Sequence, residues 1–106
     1  MAQFDVHRNS GRNRSAIPYV VVVQSSIFDD YRRRVVVPMV RQSYLEAVPF
    51  PRFNPSFEIE GIQVVLHPLE IVSVDARILG EFVISVRDAG QQIIDALDEL
   101  LTRAHG

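Results

Sequence analysis

The 106-residue chain contains no cysteine, no tryptophan and no lysine. Without cysteine, disulfides and thiolate metal sites are excluded. No apolar run approaches the roughly 20 residues that a bilayer crossing needs. The opening residues, MAQFDVHRN, also lack the charged-then-apolar layout of a signal peptide. A cytoplasmic protein without a membrane partner is therefore expected. The three histidines, His7, His67 and His105, stand far apart, and none has a neighbour at metal-ligand spacing. Glycine-rich phosphate loops, nucleophile elbows, internal repeats and low-complexity tracts are all missing. Neither a metal nor a cofactor is expected.

What is present is ordinary for a globular chain: 47% hydrophobic and 23% charged residues, at a length that supports one core and one domain, 1–106. The net charge of −2 hides an asymmetry. Through Arg52 there are eight arginines against four acids; from Phe53 onward, three against nine. Because every basic residue is arginine, bidentate contacts with carboxylates or phosphates are available. The absence of lysine is read first as a coding-composition bias. The acidic balance argues against a nucleic-acid-binding domain of the usual kind.

The pattern along the chain is strands first and one helix last. Gln3 to Arg8 alternates Phe4 and Val6 with polar neighbours, as a half-buried strand does. A turn-rich loop, RNSGRNRSAIP, follows. Val20 to Val23 and Val35 to Val37 are continuous β-branched runs and read as central strands, the second limited by Pro38. The proline-rich AVPFPRFNP is an irregular connection. SFEIEGIQVVL reads as a hairpin turning at Gly61. Val72 with Val74, and Phe82 with Ile84, suggest further short strands. Together these imply a small barrel or closed sheet, a mostly β fold. The helix is predicted from Asp88, as N-cap with Gln91 as its reciprocal partner, through Ile93, Ile94, Leu97, Leu100 and Leu101 on one face. Glu99 and Arg103 form a favourable i, i+4 pair on its other side.

Signs of catalysis are weak. Asp29 and Asp30 are adjacent, which is poor geometry for paired carboxylates and suits a solvated turn. Arg32, Arg33 and Arg34, joined by Arg12 and Arg14 if the first loop folds over, form a candidate basic patch. The plainer reading is a solvated strand entrance that balances the aspartates. Ile27 and Phe28 pose a sharper question. Either side chain would contribute about 1.5–3 kcal/mol if buried against a partner. Tucked under the loop, each would be a satellite of the core instead. Sequence leaves both open.

With these residues laid out, the chain resembles the CcdB family of bacterial toxins. The resemblance rests on QFDV at Gln3–Val6, VVVQSSIFDDYRRRVVVP at Val21–Pro38, the hairpin NPSFEIEG and the closing amphipathic helix, in that order over nearly the whole chain. It implies an SH3-like β-barrel of about five to seven strands with a C-terminal α-helix, assembled as a homodimer. It further implies a toxin of a toxin–antitoxin module that is not itself an enzyme. Such a toxin poisons DNA gyrase by binding its GyrA subunit and is neutralised by a cognate antitoxin. Operator DNA is met only through the antitoxin.

The resemblance places Ile27 and Phe28 at the gyrase-facing surface, close to the C-terminal end of the helix. Asp98 and Leu101 fall on the family's other helix contacts. Where the best-known members end in Trp-Gly-Ile, this chain has Thr102, Arg103 and Ala104, and threonine cannot stack as tryptophan does. Arg33 and Arg34 match the family's arginine pair and, with Arg12 and Arg14, are candidates for antitoxin binding. Two alternatives are a MazF-like mRNA endoribonuclease, motivated by the same arginines, and a non-toxic relative that only binds an antitoxin.

Overall fold

The structure is a computed structural model, and it describes residues 2–47 and 50–102. Among them run β1 (Asp5–Arg8), β2 (Tyr19–Val22), β3 (Arg33–Arg41), β4 (Ser56–Ile59), β5 (Ile62–Leu66), β6 (Val72–Asp75), β7 (Phe82–Ser85) and the helix α1 (Gly90–Thr102). All pairings are antiparallel, in the order β4-β5-β3-β2-β1-β7, with β6 also paired to β3. The sheet curls into a half-barrel with the single helix at its end, the mostly β fold that the sequence implies. No helix among the described residues is long and apolar enough to cross a membrane.

The register explains why valine runs occur where alternation would be usual. Val6, Val21 and Val37 stand opposite one another on β1, β2 and β3, and Tyr19, Met39 and Leu66 form the next such row. These residues are fully buried on one face with Ile93 and Ala96 of α1. Deleting one such large side chain typically costs about 2–5 kcal/mol. The intervening residues face the other way. Val20, Val36, Pro38, Val72 and Val74 line a cleft of about 230 Å³, with Ile17 of the β1–β2 loop and Ile78 and Leu79 along it. A strand with apolar surroundings on both faces has no polar side to alternate with.

Two expectations are corrected here. Pro38 does not limit the second run, because β3 continues through it to Arg41. The Pro38 carbonyl accepts from the His67 N–H at 3.0 Å, so the proline nitrogen faces the same flank. On that flank β6 pairs only as far as Val36, and β5 begins at Met39. The missing donor falls in the gap between two strands and breaks no ladder. The Asp88 cap is also not formed. Asp88 lies inside a 3₁₀ turn, Arg87–Ala89, that leads into α1, and the Gln91 amide donates forward to Asp95 at 2.9 Å.

The hairpin turns tightly, with Ile59 opposite Ile62 and only Glu60 and Gly61 between them. Their φ values of 54° and 78° are those of a type I′ turn, which matches the twist of the strands it joins. Glycine adopts this backbone freely, whereas Glu60 is held there by its side chain. Arg8 donates two bonds of 2.8 Å to its carboxylate, and the Tyr19 hydroxyl donates a third of 2.6 Å. Arg8 also pairs with Glu81 at 3.0 Å. The clamp joins β1 and β2 to the far hairpin and so holds the curl of the sheet.

Candidate functional site

The candidate docking residues lie on two elements, the β2–β3 turn and the last turn of α1. Ser25 opens the first by accepting the Ile27 N–H on its hydroxyl at 3.4 Å, and Ser26–Phe28 then form one 3₁₀ turn. Gln24 braces the loop from inside. Its amide nitrogen donates to the carbonyls of Phe28 and Arg33 at 3.2 and 3.3 Å, and its amide oxygen accepts from the Val35 N–H at 3.0 Å.

Arg34 is the second brace. It is buried, and its guanidinium donates to the main-chain carbonyls of Asp29, Tyr31 and Arg33. Its Nε is buried without a partner. Charge-assisted bonds of this kind are about twice as strong as neutral ones. The backbone from Gln24 to Val35 is therefore fixed by side chains that point inward, leaving the apolar ones outside. Ile27 is 81% exposed and Phe28 56%. The satellite reading of this pair is overturned, because inward space is already occupied by Gln24 and Arg34.

Tyr31, which sequence reasoning did not single out, is 56% exposed on the same turn. The Arg32 guanidinium lies 5.5 Å from its ring centroid, within cation–π range. A shallow recess lined by Gln3, Phe4, Ser26, Ser85 and Arg87 places the turn beside the segment that leads into α1.

At the other end of α1, Leu101 is 73% exposed and Asp98 is exposed. Thr102 donates its hydroxyl back to the Asp98 carbonyl at 2.6 Å, the usual way a helical threonine satisfies itself. Thirteen helical residues span about 19 Å, so this last turn stands a helix length from the start of α1, beside which Ser26 of the β2–β3 turn lies. Within the chain the β2–β3 turn therefore sits by the opposite end of the helix from the one the resemblance implies. Arg103 and Ala104 lie outside the described residues, as does the expected Glu99–Arg103 pair. Glu99 meets Arg52 at 3.9 Å.

The four arginines that are candidates for antitoxin binding divide. Arg34 is buried against carbonyls, as above. Arg33 bonds the Ser73 hydroxyl at 2.8 Å and the Ser73 carbonyl at 2.7 Å, tying β3 to β6. Arg12 and Arg14 are exposed on the β1–β2 loop. No group of three or more histidine, aspartate or glutamate side chains that could hold a metal is found among the described residues.

A protein-family model described as CcdB protein matches residues 3–103. The chain belongs to the CcdB family. No curated protein matches it. The CcdB match takes in the N-terminal strand, the braced β2–β3 turn, the Glu60–Gly61 hairpin and all of α1. CcdB family membership suggests the toxin of a toxin–antitoxin module. It also supplies the context for a turn in which Gln24 and Arg34 brace the backbone from inside while Ile27 and Phe28 are exposed.

Proposed function

We propose that this CcdB-family chain is a toxin that acts by docking on the GyrA subunit of DNA gyrase rather than by catalysis. It works in the cytoplasm as a homodimer and is neutralised by a cognate antitoxin that also carries the operator-binding part. One observation supports this reading above the others: Ile27 and Phe28 are both exposed on a turn held rigid by Gln24, Ser25 and Arg34. Exposed apolar side chains on a fixed backbone are what a docking surface requires, since the ordering is done before the partner arrives.

The helix end contributes Asp98, Leu101 and Thr102, followed by Arg103 and Ala104. With threonine in place of the family's aromatic, more of the binding falls to the β2–β3 turn. Arg12, Arg14 and Arg33 offer charges for an antitoxin; Arg34, being buried, supports the turn. Inducible expression tests the reading. Growth arrest with loss of gyrase supercoiling in the purified system, relieved by the antitoxin encoded beside the toxin, is the expected result. Growth arrest with RNA cleavage and intact supercoiling contradicts it.

A further inference from the structure

The β2–β3 turn presents two rings, and only one of them belongs to the apolar dipeptide. Ile27, Phe28 and Tyr31 lie within five residues and each is more than half exposed. Three separate braces hold the backbone that carries them. Ser25 fixes the start, Gln24 ties Phe28 to the head of β3, and Arg34 fastens the carbonyls on either side of Tyr31. The Tyr31 N–H adds a bond to the Phe28 carbonyl at 3.0 Å, which links the two ring-bearing residues directly. Arg32 flanks the Tyr31 ring.

Nothing in the core requires this. A solvated turn of the same length needs no apolar residue, and a buried arginine bonded to three carbonyls is an unusual investment for a connection between two strands. Tyrosine and phenylalanine offer large contact area with only two side-chain torsions to order, and they are enriched where interfaces concentrate their binding. In a chain without tryptophan they are the largest rings available.

We infer that Tyr31 docks together with Ile27 and Phe28 on GyrA, as the third member of a pre-shaped apolar platform that Gln24 and Arg34 hold in place. The inference rests on the gyrase reading above and adds to it a specificity-determining residue. The partner surface it asks for is an apolar recess wide enough to take two rings and an isoleucine.

The test titrates full-length wild type, Tyr31→Ala and Tyr31→Phe onto the purified A subunit of the host's gyrase, with urea unfolding and sedimentation of each variant alongside. Loss of about tenfold or more in affinity for Tyr31→Ala is expected, with Tyr31→Phe within about threefold of wild type. Unfolding midpoints and sedimentation should not move. Wild-type affinity in Tyr31→Ala overturns the inference and leaves the gyrase reading standing. A changed oligomeric state in Tyr31→Ala overturns it too, by assigning the ring to a second copy of this chain. If wild type itself fails to bind, the gyrase reading falls and the inference falls with it.

Discussion

The Arg34 guanidinium donates to the main-chain carbonyl of Tyr31, three residues before it. The second residue of β3 thereby shapes the turn in front of that strand, and it does so from a buried position. Arg34→Lys keeps the charge but loses the planar fork that reaches several carbonyls at once. Hydrogen bonds to a charged group contribute about 1.5–3 kcal/mol, so a fall in unfolding free energy of about that size is expected. Urea denaturation measures it. Arg33→Lys, at a half-exposed neighbour bonded to one residue, should cost less.

The Arg8–Glu60–Tyr19 clamp gives the fold an acid limit. The Arg8 guanidinium foremost, and then the Tyr19 hydroxyl, hold the Glu60 carboxyl at about 2 against an ordinary value of 4.5. Because the folded state lowers this pKa, the clamp's contribution is complete above about pH 4.5. It is lost as pH falls from there through about 2. Urea midpoints of Glu60→Gln should lie below wild type at pH 7 and converge with it near pH 2. Both partners are about two-fifths exposed, so 0.5 M salt should narrow the difference. The same clamp acts at the alkaline end. Burial first, and then Glu60, push the Tyr19 hydroxyl up to about 12, so stability falls as pH rises from about 10 through 12.

Gly80 marks where the connection to β7 meets β1. A Cβ there would lie 2.4 Å from the Arg8 carbonyl oxygen, and the Gly80 carbonyl is the partner of His7 Nδ1 at 2.9 Å. The obstacle is backbone and cannot swing aside. Gly80→Ala should destabilise by about 1–3 kcal/mol through displacement of β1 from this connection. Gly61→Ala meets open space and strains only its positive φ, so a smaller loss of about 1 kcal/mol is expected. Thermal unfolding of the two variants ranks them.

Much of the sheet was legible because its signals are local. The valine runs, the Glu60–Gly61 turn and the Val72 and Phe82 segments each became strands at the expected places. Of the helix face read from the spacing, Ile93 meets the core and Leu97 packs against it, whereas Ile94 and Leu101 are exposed and Ala96, which that reading left out, is buried. Pro38 misled because a strand's tolerance for proline depends on which flank lacks a partner, and that is decided by β5 and β6, about 30 residues later. Asp88 misled because the 3₁₀ turn at Arg87–Ala89 shifts the helix start beyond it.

At the site, the family pattern pointed to Ile27 and Phe28, but their exposure depends on Arg34 and Gln24 filling the inside of the turn. Neither role has a sequence signature, since their partners are main-chain carbonyls that any residue supplies. Tyr31 was missed for the same reason: its outward setting follows from bonds made by its neighbours.

The central claim is that the protein works through the apolar side chains of the β2–β3 turn. Calorimetric titration of the purified A subunit of the host's gyrase with wild type and with Ile27→Asp tests it most directly, Ile27 being so exposed that the variant's unfolding midpoint should match wild type. The account predicts saturable binding by wild type and a loss of about tenfold or more in the variant. Equal binding by the two proteins, or no binding by either, would contradict it.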